Sequence, residues 1–288
     1  MIGKSDRMEL RLIMADPAGN RTAIVRTPVP AELRAETAAK IMKIQELRAE
    51  QVGFEAVPRL GGAGRLEMMG GEFCGNAARS FGFLCFSERQ AALSAGNSGG
   101  SPASGAGGSI LIEISGSRGL LRVDCDPRKG TAFSEMPMPE RIEYSGEGFP
   151  LIISEGIAHM VIEDMEPDPG LIHRMIERCG KSFDAFGLQF LKGDTLIPVV
   201  YVGASESLVY ESSCGSGSLA AAWYLEKKAH GSQRQTAQWE TGSPGTYRFR
   251  EPGGEIIVHL YPDENGEMHG TMGGGISLEK EILLNLPD

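Results

Sequence analysis

The chain has 288 residues, enough for one large or two medium domains, and a formal net charge of −10. This charge argues against nucleic acid or an anionic membrane as a partner, because both select basic surfaces. No apolar run approaches the roughly 20 residues of a membrane-spanning helix, and the N-terminus lacks the apolar segment of a signal peptide. The five cysteines are irregularly spaced, which predicts free thiols in a soluble cytoplasmic protein.

The first part of the chain predicts a hairpin, a helix and two further strands. Strand-like segments at 8–16 and 21–27 flank the turn PAGN. The segment 30–47 predicts a helix, because a proline opens it and helix formers fill it. Segments 51–60 and 64–70 predict two strands that flank a glycine-rich turn.

The rest of the chain continues this mixture of strands and helices, which predicts an α+β fold. Residues 94–108 are rich in glycine and serine, and we expect a mobile loop there. Strand-like segments follow on both sides of a helix over 169–180, which a glycine closes. After one more helix, the pattern ends in two strands and a glycine-rich tail.

Two cysteines stand where a strand-like segment meets a helix. Cys74 lies in GGEFCGNAARS and Cys214 in ESSCGSGSLAA, and a glycine follows each. When the two motifs are aligned on their cysteines, both helices show apolar or small residues at i, i+4, i+7 and i+8, so both should bury the same face. We therefore predict two domains of similar design, one over 1–117 to which 272–288 returns, and one over 118–271.

A cysteine at a helix start can act as a base. The first turn of a helix presents N–H groups and a partial positive charge, which lower a thiol pKa from about 8.5 into a range of roughly 3.5–7.5. The same N–H groups suit a substrate carboxylate, and Gly75 and Gly215 would let the backbone approach it closely. We expect Asn76 and Ser216 to belong to the same carboxylate-binding helix starts.

Two such thiols suit racemisation. A racemase removes a proton from one face of a carbon and returns one to the other face, which two opposed bases can do, one as thiolate and one as thiol. No dinucleotide, phosphate-loop or zinc-ligand motif occurs, so we expect no cofactor and no metal. The other cysteines are expected to be small buried apolar residues. They are Cys85, Cys125 and Cys179.

These motifs resemble the paired cysteine motifs of diaminopimelate epimerase and its relatives, the cofactor-independent amino-acid racemases. The resemblance covers nearly the whole chain. It implies two domains related by pseudo-twofold symmetry, each a mixed sheet or open barrel around a central helix, with the active site in the interdomain cleft. It also implies substrate contacts from Asn20 in DPAGNRTAIV, from Gln51 in AEQVGFEA and from His159 in EGIAHMVIED.

The chain departs from diaminopimelate epimerases where those enzymes hold the far end of their substrate. They use an asparagine in a Gly-Asn-Pro-His turn and a Glu-Arg pair before the second cysteine. Ile157 takes the place of that asparagine here, and the place of the pair falls near Ser205 and Glu206. An arginine for a second carboxylate is missing, which argues against a dicarboxylic diamino acid as substrate.

A closer resemblance is to the histidine racemases of opine-type (staphylopine-like) metallophore biosynthesis. The segments EQVGFEA, GGEFCGN and SSCGSG carry it. It implies a pocket for a small cationic or aromatic side chain, with Glu50 as acceptor for an imidazole N–H and Glu211 as the second candidate. The prediction is a PLP-independent histidine racemase whose acid/base pair is Cys74 and Cys214.

Four alternatives remain open from the sequence. Within the same class, the substrate could be diaminopimelate or a proline-type imino acid. In another class, the chain could be a non-catalytic amino-acid-binding protein or a thiol redox sensor. The predicted partner is a small-molecule amino-acid substrate, and a homodimer is compatible with the sequence.

Overall fold

The computed structural model describes residues 8–96, 106–230 and 245–286. These residues are mostly β-strand, with four α-helices. The chain divides into two compact units, of which the second is Glu135–Gly274 and the first is the remainder. No described helix combines the length and the apolar character that crossing a membrane would require.

Among the described residues, the first stretch of the chain contains seven strands and two helices. In order they are β1 (Met8–Asp16), β2 (Thr22–Val25), α1 (Ala31–Met42), β3 (Gln51–Ala56), β4 (Arg65–Met68), α2 (Gly75–Gly96), β5 (Gly108–Ile114), β6 (Leu121–Asp126) and β7 (Thr131–Met136). The predicted hairpin is confirmed, because β1 and β2 pair antiparallel. The two strands predicted after α1 are also confirmed as the antiparallel pair β3 and β4.

The second stretch contains eleven strands and two helices among the described residues. In order they are β8 (Arg141–Tyr144), β9 (Pro150–Ser154), β10 (Ile157–Glu163), α3 (Pro169–Arg178), β11 (Ala185–Lys192), β12 (Thr195–Val202), β13 (Ser207–Tyr210), α4 (Gly215–His230), β14 (Gly245–Glu251), β15 (Gly254–Pro262), β16 (Met268–Gly275), β17 (Ser277–Leu278) and β18 (Ile282–Leu286). Asp168 caps α3 by accepting a hydrogen bond from the backbone N–H of Leu171.

The boundary between the two units lies later in the chain than the break predicted after residue 117. That break falls between β5 and β6, and these two strands pair antiparallel, with Ile112 opposite Leu121. β6 pairs in turn with β7, so the first unit extends to Ser134. At the other end, β18 returns to pair antiparallel with β1, inside the segment 272–288 for which such a return is predicted.

The helices that follow the two cysteines form the interior of their own units. α2 is buried on every side from Gly75 to Leu84, and it packs against β2, β5 and β6. α4 is buried on every side from Gly217 to Ala222, and it packs against β10, β11 and β15. A helix without a polar face belongs in a core, which explains why small and apolar residues fill both.

Two predicted elements differ from the structure, and one lies outside it. α1 ends at Met42, because the chain then makes successive turns with i→i+3 hydrogen bonds such as Leu47 N–H to Ile44 O. The glycine-rich tail contains the strand β16, which pairing with β15 stabilises despite the low β-propensity of glycine. The expected mobile loop over 94–108 falls mainly on residues outside the described ranges.

Candidate active site

Cys74 and Cys214 each occupy the position directly before a helix. The carbonyl of Cys74 accepts a 2.9 Å hydrogen bond from Ala78 N–H, and that of Cys214 accepts one of 2.8 Å from Ser218 N–H. These are the first i→i+4 bonds of α2 and α4. Both cysteines therefore open their helices, as the motifs predict.

The Cys74 helix start is tied together by hydrogen bonds within the first unit. The half-buried Cys74 Sγ accepts from the backbone N–H of Ala77 at 3.4 Å. Asn76 is buried, and its Oδ1 accepts from Arg79 Nε at 3.1 Å. Arg79 also donates to the carbonyl of Gly275 at 3.0 Å. This fully buried arginine was not among the predicted residues, and its sequence signal is a cation among the small and apolar residues of the first turns of α2.

The structure brings three predicted residues of the first unit together at the starts of β2 and β3. Gln51 Nε2 donates to Asn20 Oδ1 at 2.5 Å and to Thr22 Oγ1 at 2.9 Å. Asn20 Nδ2 donates to Glu50 Oε2 at 3.0 Å. Asn20 and Gln51 are nearly buried, whereas Glu50 is exposed. The parallel pairing of Thr22 with Gln51 creates this group, so Thr22 could not be found from motif spacing.

A second group forms around Cys214 in the other unit. Ser216 Oγ lies 3.6 Å from Cys214 Sγ and 3.0 Å from His159 Nε2. Gln189 Nε2 lies 3.1 Å from His159 Nδ1. Complete burial lowers the pKa of His159 to about 3, so its ring is neutral at physiological pH. The structure thus joins the predicted residues His159 and Ser216 to Cys214 and adds Gln189, which the sequence analysis missed.

Glu251 is a further residue at the Cys214 helix start that sequence reasoning missed. Its Oε2 accepts the backbone N–H of Cys214 at 2.7 Å, and its Oε1 accepts the hydroxyl hydrogen of Ser218. The side chain is buried at the end of β14. A glutamate at a hairpin end is an ordinary surface pattern, so nothing in the local sequence distinguishes Glu251.

The environment of Cys214 corrects the prediction of a lowered thiol pKa at this helix start. Burial raises the pKa of Cys214 well above its ordinary value, and the carboxylates of Glu211 and Glu251 raise it further. A hydrogen bond with Ser216 acts in the opposite direction. The desolvation and the two negative charges outweigh the helix start, so Cys214 is a thiol at neutral pH. This arrangement also places the predicted residue Glu211 near the Cys214 sulfur.

The remaining cysteines are poor candidates for acid/base chemistry. Burial raises the pKa of Cys85 to about 12, with Glu55 adding to the effect, and burial raises that of Cys125 to about 12. Burial also raises the pKa of Cys179. Cys125 is buried, as predicted, whereas Cys85 and Cys179 are only half-buried because each lies at the margin of a core.

One group of side chains among the described residues has the spacing of metal ligands. Ligand atoms of Asp263, Glu267 and His269 lie within 4.8 Å of one another on the turn between β15 and β16. The Asp263 carboxylate already accepts the backbone N–H groups of Asn265 and Glu267, each at 2.8 Å. Hydrogen bonds within the turn account for the geometry of this group.

Comparison with known proteins shows clear relatives in sequence. A family model described as "Histidine racemase CntK N-terminal domain" matches residues 9–271. A histidine racemase of Fusobacterium nucleatum subsp. nucleatum is 32% identical over 239 residues, which cover 76% of this chain and 82% of that protein.

Solved structures share the fold at much lower identity. A PhzF-family phenazine biosynthesis protein of Bacillus anthracis has a TM-score of 0.64 at 13% identity, over 96% of this chain and 99% of that one. A hydroxyproline epimerase of Agrobacterium vitis, with bound trans-4-hydroxy-L-proline, has a TM-score of 0.60 at 12% identity, over 97% of this chain and 93% of that one. The mostly β fold is therefore of the PhzF and proline racemase type.

Proposed function

We propose that this chain, which belongs to the histidine racemase family, interconverts L- and D-histidine without a cofactor. The observation that carries the proposal is the pair of cysteines, each placed directly before a buried helix in its own unit. Cys74 and Cys214 are the acid/base pair of the reaction. The enzyme is accordingly an isomerase.

The two thiols have different resting roles in this mechanism. Cys74 is the base in the free enzyme, because its sulfur accepts the N–H of Ala77, an interaction that favours negative charge. Cys214 is the acid, because its raised pKa keeps it protonated. The Cys74 thiolate takes the α-proton to leave a carbanion, and the Cys214 thiol gives a proton to the opposite face. Cys74 ends as thiol and Cys214 as thiolate, which is the state that catalyses the reverse reaction.

This mechanism requires the two sulfurs to lie on opposite sides of the substrate α-carbon. We propose the arrangement of diaminopimelate epimerase, with two similar domains related by pseudo-twofold symmetry and the substrate in the cleft between them. The shared design of the two cysteine helices supports it, because each unit supplies one thiol at the start of its central helix. Exclusion of water from such a cleft would protect the carbanion from indiscriminate protonation.

The substrate carboxylate is held by the two helix starts. First-turn N–H groups of Gly75 and Asn76 on one side, and of Gly215 and Ser216 on the other, provide donors and a positive potential. Negative charge that develops on the carboxylate in the carbanion is stabilised by the same donors. The Glu251 carboxylate lowers the positive potential at the start of α4, so the start of α2 binds the substrate carboxylate more strongly.

The group formed by Asn20, Glu50 and Gln51 recognises the rest of the substrate. Glu50 accepts an imidazole N–H, and its hydrogen bond from Asn20 at 3.0 Å fixes the carboxylate. Gln51 holds Asn20 in turn, through the 2.5 Å bond to its Oδ1. Glu211, beside the Cys214 sulfur, is the second candidate for the imidazole acceptor.

The substrate is tested by incubating the enzyme with single L-amino acids and following the loss of circular dichroism. L-Histidine should lose its signal, whereas L-proline and LL-diaminopimelate should keep theirs over the same period. Turnover of diaminopimelate or proline without histidine would overturn the assignment of substrate. Tight binding of histidine without any loss of optical activity would instead indicate a binding protein.

A further inference from the structure

A line of hydrogen bonds connects Gln189 in β11 to the sulfur of Cys214. Gln189 Nε2 lies 3.1 Å from His159 Nδ1, His159 Nε2 lies 3.0 Å from Ser216 Oγ, and Ser216 Oγ lies 3.6 Å from Cys214 Sγ. Gln189 and His159 are completely buried. The line lies within the second unit and leads from its core to the start of α4.

The direction of each hydrogen bond follows from the donors available. An amide nitrogen can only donate, so His159 Nδ1 must accept from Gln189 Nε2. Burial keeps the His159 ring neutral, so its one hydrogen lies on Nε2 and is donated to Ser216 Oγ. The Ser216 hydroxyl accepts there and therefore has its own hydrogen available for the Cys214 sulfur.

The backbone leaves space for this arrangement at two glycines. His159 pairs with Gly187 across the parallel strands β10 and β11, and a Cβ at Gly187 would lie 2.2 Å from His159 Nδ1. A Cβ at Gly217, in the first turn of α4, would lie 2.5 Å from the side-chain amide of Gln189. Any side chain at either glycine would therefore displace the imidazole or the amide.

The side-chain oxygen of Gln189 does not share in the hydrogen bonding of its amide nitrogen. Gln189 Oε1 is buried and has no hydrogen-bond partner among the described residues. An unsatisfied buried oxygen costs free energy, and such groups are rare in folded proteins. The nitrogen of the same amide lies 3.1 Å from His159 Nδ1, so the hydrogen bonding of this side chain is directed at the imidazole.

We propose that Gln189 is a positioning residue for the reaction: it fixes neutral His159 as the Nε2–H tautomer and so directs the hydroxyl hydrogen of Ser216 at the Cys214 sulfur. The inference rests on the proposed racemase function. When Cys214 gives up its proton, negative charge appears on a buried sulfur near Glu211 and Glu251. The Ser216 hydroxyl stabilises that charge, and it can do so only while its hydrogen is not donated to His159.

The tautomer is tested directly by NMR on the whole protein labelled with ¹⁵N-histidine. Long-range ¹H–¹⁵N correlations distinguish the protonated ring nitrogen from the unprotonated one, and a His159→Gln variant assigns the signal. The proposal predicts a hydrogen on Nε2 and none on Nδ1. A hydrogen on Nδ1 would overturn it, because the Ser216 hydroxyl would then have to donate to the ring. This result needs no turnover, so it stands apart from success or failure of the racemase assay.

Kinetics test the consequence for catalysis. Gln189→Met removes the donor at similar size, and Ser216→Ala removes the hydroxyl. Each should lower kcat for histidine by about tenfold or more with KM little changed. The hydrogen bond that is lost stabilises the charge that forms on Cys214 during the reaction, and it does not bind the substrate. Because both changes break one line of hydrogen bonds, the double variant should lose no more than the worse single variant.

Two results would contradict the proposal at this stage. Losses that multiply in the double variant would show that Gln189 and Ser216 act independently. A Gln189→Met enzyme with the kcat of wild type would show that the amide has no part in the reaction. The half-buried residue Gln90 in α2 provides the control, since Gln90→Met should leave both kinetic constants unchanged.

Discussion

The backbone N–H of Cys214 donates a 2.7 Å hydrogen bond to Glu251 Oε2, which places a buried carboxylate at the start of α4. The other carboxylate oxygen accepts from the Ser218 hydroxyl. Glu251 therefore caps the helix, but its negative charge also opposes the helix potential that would otherwise favour a Cys214 thiolate. One side chain from a distant strand thus stabilises the helix and keeps the adjacent thiol protonated.

Glu251→Gln should move the alkaline limb of the histidine racemisation profile to lower pH. Glutamine keeps an oxygen for Cys214 N–H but removes the charge that helps to raise the Cys214 pKa. The thiol is therefore deprotonated at a lower pH, and the acid that the reaction needs is lost there. The measurement is kcat/KM as a function of pH for both variants. Glu255→Gln, in the neighbouring strand β15 and partly exposed, is the matched control. A limb that stays in place, or moves to higher pH, would be inconsistent with this role.

Cys85→Ala and Cys125→Ala should retain the racemase rate of the wild type. Both thiols have a pKa of about 12, so neither provides a thiolate at neutral pH. Cys125→Ala should lower the free energy of unfolding by about 1 kcal/mol, because a buried group is removed from the core. Chiral chromatography gives the rate and urea denaturation the stability. Loss of activity in a folded Cys85 variant would require a third functional thiol.

Glu50→Gln should lower kcat/KM for histidine by about tenfold or more, because the imidazole loses a charged acceptor. Asn20 can still donate to the remaining side-chain oxygen, so the local hydrogen bond is kept. Glu46→Gln is the control, since Glu46 is also an exposed glutamate and lies four residues earlier in the chain. Equal kinetics for the two variants would indicate that Glu211, and not Glu50, accepts the imidazole N–H. Glu211→Gln should then lower kcat/KM for histidine.

Glu113 should make the stability of the first unit depend on acid pH. Burial alone would raise its pKa, but N–H groups of Arg59, Leu60 and Gly62 and the guanidinium of Arg65 hold it at about 2, against 4.5 for an ordinary glutamate. A carboxylate whose pKa is lower in the folded state contributes stability above its unfolded pKa. That contribution is lost as the pH falls from about 4.5 to about 2.

Thermal unfolding of Glu113→Gln from pH 2 to pH 7 measures this contribution. The variant should melt below the wild type at neutral pH, because its amide NH₂ faces groups that can only donate. The difference in Tm should shrink as the pH falls through the range given above. A constant difference across the whole range would show that the charge on Glu113 has no part in stability. The exposed Glu9 supplies the control, and Glu9→Gln should follow the wild type throughout.

The features of the candidate site that the sequence predicts well are the local ones. The change from strand to helix at Cys74 and Cys214 is encoded by the residues next to them, and both helices begin at the following glycine. The sequence predicts one buried face for each of these helices, whereas the structure buries α2 from Gly75 to Leu84 and α4 from Gly217 to Ala222 on every side. Helix starts are therefore predictable without knowledge of the tertiary fold, but the extent of helix burial is not.

The features that could not be predicted depend on strand pairing far along the chain. Gln189 reaches His159 because β10 and β11 are parallel neighbours, and Glu251 reaches Cys214 from the end of β14. Neither residue has a motif spacing to its partner. The raised pKa of Cys214 has this origin only in part, since burial and Glu251 come from the tertiary fold, whereas Glu211 lies three residues before the cysteine.

The central claim is that Cys74 and Cys214 exchange the α-proton of histidine, and deuterium incorporation from solvent tests it most directly. L-Histidine is incubated in D₂O with the wild type, with Cys74→Ser, with Cys214→Ser and with the Cys85→Ala control, and α-deuteration is followed by mass spectrometry. The wild type and the control should deuterate histidine and form the D isomer, whereas each serine variant should form D-histidine at least a hundredfold more slowly, because a serine hydroxyl is far less acidic than a thiol. A serine variant that forms D-histidine as fast as the wild type would contradict the account.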